Sequence, residues 1–180
     1  VYDWAVTQEL CWITALEYVR AAKDFLEARI GRTGDGGWWV EDYDSCRTVR
    51  FDLADRVVDM ETSRNVAGFV RHNDSLYVSL LPGERAEIRL TPEMPSKPCL
   101  ARASGLIRNV EAKGDRWRAE CRSWSRGFVE LWAPGGKWRA SATIPGGRKI
   151  SGKPRRLDDG RLRFEFPGGA GEWINIVFEK

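Results

Sequence analysis

The sequence predicts a mainly β fold, an antiparallel β-sandwich or jelly roll preceded by one N-terminal helix. Three observations carry this reading. Helical periodicity occurs once, near the N-terminus; about ten short segments of strand character follow it; and Gly, Pro, Asn and Asp punctuate the connections. Short strands at that spacing, with no interleaved helices, build sandwiches and jelly rolls. No fixed-period repeat of the kind a propeller needs is present.

The helix is read from Trp12, Leu16, Val19, Ala22, Leu26 and Ile30, whose spacings of three and four place them on one stripe. Thr14 and Glu17 have the spacing of a capping box, and Gly31 and Gly34 supply a stop. Residues 1–35 therefore form a helical lead-in, and residues 36–180 the β-domain.

Strand character begins with Arg47–Leu53, where Val49, Phe51 and Leu53 share one face. Further strands are read at 65–71, 75–81, 86–91, 106–112, 116–124, 128–133, 138–144, 161–166 and 173–178. Their connectors have hairpin chemistry: Asn73-Asp74, Lys113-Gly-Asp115, Pro134-Gly-Gly136, Pro145-Gly-Gly147 and Asp158-Asp-Gly160. Trp38, Trp39, Trp132 and Trp138 have apolar neighbours and read as core or rim packing.

The chain has 180 residues, of which 42% are hydrophobic and 31% charged, the composition of a globular protein. No apolar run reaches the length of a membrane-spanning helix, and no signal peptide is recognisable at the N-terminus. The first residue is Val, as in a processed product or a fragment. Residues 1–90 carry 11 Lys+Arg against 16 Asp+Glu, and residues 91–180 carry 18 against 10. Such an asymmetry serves an anionic partner, or else the two halves complement each other within one fold. The second account is preferred, because the basic residues are spread along strands. Cys11, Cys46, Cys99 and Cys121 include no C-x-x-C pair and match no zinc or thioredoxin-like motif, and their disulfide state is open.

Catalytic candidates are thin. A single histidine weighs against most His-based metal sites and His-dependent triads, and that residue, His72, falls at a hairpin, where an exposed surface role is the ordinary one. Asp42 with Asp44, and Asp158 with Asp159, are carboxylate pairs, but in turn-rich stretches where solvated Asx-turns are the ordinary use. Nothing matches G-x-S-x-G, H-E-x-x-H or a P-loop. No catalytic residue, metal ligand or cofactor is assigned, and the chain alone is not expected to be an enzyme.

Nine tryptophans are the stronger signal. Along residues 116–126 the odd positions are Trp117, Ala119, Cys121, Ser123 and Ser125; the even ones are Arg116, Arg118, Glu120, Arg122, Trp124 and Arg126. The charged even face looks to solvent, and Trp124 stands on it as a platform for a sugar ring or a base, with Arg118, Glu120, Arg122 and Arg126 as hydrogen-bonding neighbours. The alternative is a bulge near Gly127 that turns Trp124 inward.

The stretches Glu17-Tyr18-Val19 through Asp24-Phe25, Gly37-Trp38 and Arg47-Thr-Val-Arg-Phe51 resemble the C-terminal region of bacterial Pel-type exopolysaccharide hydrolase/deacetylases. Arg64-Asn-Val-Ala-Gly-Phe69 and Ser75-Leu-Tyr-Val-Ser-Leu80 resemble strands of the β-tail that follows the barrel's last helix. The resemblance covers the first half of the chain. It implies a periplasmic or extracellular role in exopolysaccharide synthesis, with the catalytic metal site and carboxylates in a partner deacetylase domain or subunit. The chain is then an accessory domain whose partner is polysaccharide. Neutral acetylated or anionic polymer is preferred, because the basic half repels a cationic one. Nucleic acid ranks last among partners. A purely structural interaction domain and a stand-alone polysaccharide hydrolase or lyase are the alternatives.

Overall fold

The computed structural model describes residues 14–53, 55–124 and 126–180. Cys11, Trp12 and the rest of 1–13 lie outside the described residues, as do Ala54 and Ser125. The chain opens with α1 (Ala15–Glu27), followed by β1 (Arg29–Arg32), β2 (Trp38–Glu41), β3 (Thr48–Phe51), β4 (Val57–Val58) and β5 (Val66–His72). Next come β6 (Ser75–Leu80), β7 (Arg85–Ile88), β8 (Leu90–Thr91), β9 (Cys99–Ala103), β10 (Leu106–Lys113) and β11 (Arg116–Arg122). The last are β12 (Gly127–Trp132), β13 (Arg139–Thr143), β14 (Lys149–Gly152), β15 (Arg155–Arg156), β16 (Leu162–Phe166) and β17 (Trp173–Glu179).

The capping box forms: Glu17 N–H donates to Thr14 Oγ1 at 3.2 Å, and Thr14 N–H donates to Glu17 Oε2 at 2.7 Å. The helix ends at Glu27, short of the predicted glycine stop. Ala28 turns extended, and Ile30 belongs to β1 instead of the helical stripe. Gly31 makes room for an aromatic ring instead of ending the helix. It faces Trp39 across the β1–β2 pair, and a Cβ there would meet the indole at 2.5 Å.

A seven-stranded sheet, β15-β16-β12-β9-β5-β6-β3, is the middle of the molecule. On one side it shares a core with the five-stranded sheet β10-β11-β17-β13-β14, built from Val129, Leu131, Phe164 and Phe166 against Trp117, Ile174, Ile176 and Phe178. A second core joins Phe69, Leu76, Val78 and Leu80 to Val40, Ala86 and Ile88 of the three-stranded sheet β1-β2-β7, with Val57 and Val58 of the small β4–β8 ladder. Leu131 belongs to the first core and its neighbour Trp132 packs on the second. Side chains alternate along a strand, so the two cores lie on opposite faces of the seven-stranded sheet.

Among the described residues pairing is antiparallel except between β5 and β9, which meet in parallel at Gly68 and Leu100. A bulge between Val66 and Gly68 brings the backbones so close that a Cβ on Gly68 would overlap the Leu100 carbonyl. The predicted turn between β5 and β6 is in place: Asn73 and Asp74 both take positive φ (46° and 60°), as a two-residue turn between twisted strands requires.

Candidate functional site

The outer face of the five-stranded sheet is mainly polar, and pairing fixes its layout. Arg122 of β11 neighbours Trp173 of β17; Glu120 neighbours Arg108 and Asn175; Arg118 neighbours Glu111 and Val177. Beyond β17 the rows continue through Thr143 and Lys149, then Ser141 and Ser151. The alternation predicted for this strand holds, because Trp117, Ala119 and Cys121 are buried in the first core while Arg116 and Arg118 are exposed. Apolar side chains at every second position anchor the strand and leave the intervening ones to solvent.

Along this face the side chains hold one another. Arg118 grips Glu111 through two bonds of 2.6 and 2.9 Å, and Arg108 donates to Glu120 at 2.5 Å. Those guanidiniums hold the Glu111 and Glu120 carboxyls below the usual carboxylate range. The Arg108 guanidinium also lies 3.9 Å from the centre of the Trp173 ring, and that of Arg122 lies 5.3 Å from it. Arg122 forms an ion pair with Glu17 of α1, and its enclosed Nε–H has no acceptor among the described residues. Two hollows result. One of about 390 Å³ is walled by Asn109, Arg118, Glu120 and Asn175; the other, about 450 Å³, lies between α1 and the sheet end, walled by Arg20, Arg47, Arg108, Arg122 and Trp173.

Of the five residues predicted as a site, Arg118, Glu120 and Arg122 share this face. Trp124 lies just past the end of β11, 46% exposed, with its ring packed over Gly171. Gly171 has φ of +88°, and a Cβ there would strike the indole at 2.6 Å. Arg126 points elsewhere and bonds Glu165 of the seven-stranded sheet at 2.6 Å. Trp173, Arg108 and Asn175 were missed. Alternation along Trp173-Ile-Asn-Ile-Val-Phe178 held the signal for two of them, since Ile174, Ile176 and Phe178 claim the core.

No family model, curated protein or solved structure matches the chain.

The carboxylate pairs have structural partners. Asp42 accepts two bonds from Arg29, at 2.8 and 3.0 Å, and Asp159 accepts two from Arg161, at 2.6 Å from the guanidinium and 3.2 Å from the backbone N–H. His72 is exposed at the end of β5. Among the described residues no group of three or more His, Cys, Asp or Glu converges on a point a metal ion would occupy. Cys46 and Cys99 are free thiols, and Cys121 is buried in the first core. No helix among the described residues is long and apolar enough to cross a membrane.

Proposed function

We propose that this chain is a non-catalytic accessory domain of a polysaccharide-modifying, deacetylase-type enzyme acting in the periplasm or outside the cell, and that it holds glycan on the outer face of the five-stranded sheet. The observation that supports this most is the half-exposed Trp124 just past the end of an outward-facing row formed by the exposed Arg118 and the half-buried Glu120 and Arg122. An indole takes the apolar face of a sugar ring, and guanidinium, carboxylate and amide groups take its hydroxyls. The face is set rigidly by its own ion pairs, which lowers the ordering cost of binding. Neutral acetylated or anionic chains are accepted in preference to deacetylated, cationic ones, because arginines dominate the face.

Affinity electrophoresis through gels cast with acetylated, deacetylated and uronate polymers tests the reading. Retardation by the neutral acetylated polymer, lost in Trp124→Ala, is the expected outcome, with retardation by the uronate polymer stronger than by the deacetylated one. Equal mobility in every gel, or strongest retardation by the cationic polymer, would overturn it.

A second reading, a domain that packs on the catalytic domain of the same enzyme, is favoured by one observation. The helix α1 is docked inside out. Glu17 and Asp24 face the β-body, where Asp24 Oδ2 accepts from Ser45 N–H at 2.6 Å, while Leu16, Val19, Phe25 and Leu26 face solvent. An apolar helix face held outward in this way suits a protein surface.

A further inference from the structure

The two hairpin strands at the other end of the same sheet carry cations of a different kind. From Leu131 to Leu157 the chain has seven Lys and Arg and no Asp or Glu. These residues lie on β13, β14, β15 and their connections, and the fold gathers six of them (Lys137, Arg139, Lys149, Lys153, Arg155 and Arg156) around two hollows of about 790 and 520 Å³. The hollows share Lys137, Trp138 and Lys153 as walls, so they form one trough. Among the described residues its single carboxylate is Glu179.

Elsewhere on this protein an arginine generally has a carboxylate partner. Arg29, Arg50, Arg85, Arg108, Arg118, Arg126, Arg161 and Arg163 are all paired. In the trough, none of the six has an ion pair among the described residues. Arg156 alone is bonded, to the Gly160 carbonyl. Gathering like charges without counter-charges costs stability, and that cost is recovered when an anion arrives. The trough is also firm. Trp138 is buried beneath it with its indole N–H bonded to the Pro134 carbonyl at 3.0 Å, and Pro154 fixes the backbone between Lys153 and Arg155. Ser141 and Ser151, directly opposite each other, add hydroxyls to the wall.

We infer that this trough is a second binding site and that it takes a linear polyanionic glycan, with carboxylate or sulfate groups spaced along the chain. A row of separate cations on adjacent strands matches a row of separate anions, and the serine hydroxyls match sugar hydroxyls. Single-stranded nucleic acid is disfavoured because the one aromatic residue in the walls, Trp138, is buried and offers no open face to stack a base. The choice of a glycan rests on the function proposed above; the location of the site does not.

The test measures binding of the full chain to polygalacturonate, dextran sulfate, an uncharged cellulose ether and single-stranded DNA, at low and moderate salt. Polygalacturonate or dextran sulfate is expected to bind, and whichever binds more tightly identifies the anionic group. Lys149→Glu/Lys153→Glu, both at exposed positions, is expected to weaken that binding about 10-fold or more, and added salt to weaken it further. Arg56→Glu/Arg64→Glu makes the same charge change on exposed positions of the other half and is expected to leave it within about 2-fold. Trp124→Ala is expected to remove retention of the neutral acetylated polymer while the loss of polyanion binding caused by Lys149→Glu/Lys153→Glu is the same in its background, so failure of the Trp124 platform and failure of the trough are read separately. Equal loss in both charge variants, wild-type affinity in the Lys149/Lys153 variant, or tighter binding of DNA than of either glycan would overturn the inference.

Discussion

Glu130 is 1% exposed, yet it sits on a strand of the central sheet between two guanidiniums, with Arg161 at 2.6 Å and Arg163 at 3.1 Å. A buried carboxylate is tolerated only when its charge is matched, and removing one member strands the others. Glu130→Ala is therefore expected to lower unfolding free energy by about 3 kcal/mol, read from the urea midpoint. A loss under about 1 kcal/mol would mean that solvent reaches the pair. Cysteine chemistry is also fixed by burial. The interior pushes the Cys99 thiol up to about 12, so it stays protonated at ordinary pH. In a Cys11→Ser background, alkylation at pH 8 should label the half-buried Cys46 in the native state and reach Cys99 and Cys121 only after denaturation. Rapid native labelling of Cys99 would contradict the packing of the second core.

At the scale of elements, α1 is the unusual piece. Its solvent-facing residues touch little, so Val19→Glu/Leu26→Glu should cost less than about 0.5 kcal/mol while abolishing any concentration-dependent self-association seen by sedimentation. Substantial unfolding would show that the apolar face is already covered. Periodicity located this helix correctly but could not tell which side would dock, since a stripe's existence and its direction are separate facts. The alternating strands and their turns were legible because one face of each enters a core. Strand β9 was not: Cys99, Leu100 and Ala101 are all buried, so no alternation marks it. Strands β4, β14 and β15 are too short or too polar to produce a pattern. The Arg118–Glu120–Arg122 face was readable from one strand. The Lys149–Lys153 trough was not, because its cations come from separate segments that meet only in the folded sheet.

Charge governs the molecule as a whole. Arg89 and Thr33 hold Asp35 down to about 2, and Asp52, Asp59, Glu111 and Glu120 are lowered as well, each chiefly through a hydrogen bond from a hydroxyl or a guanidinium. Depressed carboxyls stabilise the fold above the unfolded-state value, near 4, and that stability is lost as pH falls toward 2. The melting temperature should therefore fall steadily between about pH 5 and pH 2.5, with a flat response from about pH 6 to pH 8. A constant melting temperature down to pH 3 would refute the role given to these pairs.

The single parallel contact at Gly68 and Leu100 has a consequence for engineering. Every other strand pairing joins partners from the same side of the Pro92–Pro98 connection. Each side also supplies nearly all of one core. The molecule is thus two β-units in sequence whose sheets join at one seam, with side-chain contacts such as Trp132 to the Phe69 carbonyl and Arg122 to Glu17 crossing between them. A protease cut in the largely exposed stretch from Glu93 to Lys97 should leave two pieces that stay together and separate only in denaturant. The cation-rich trough lies outside those crossing contacts, so it can be redesigned without disturbing the other piece, provided the glycine at the seam is kept.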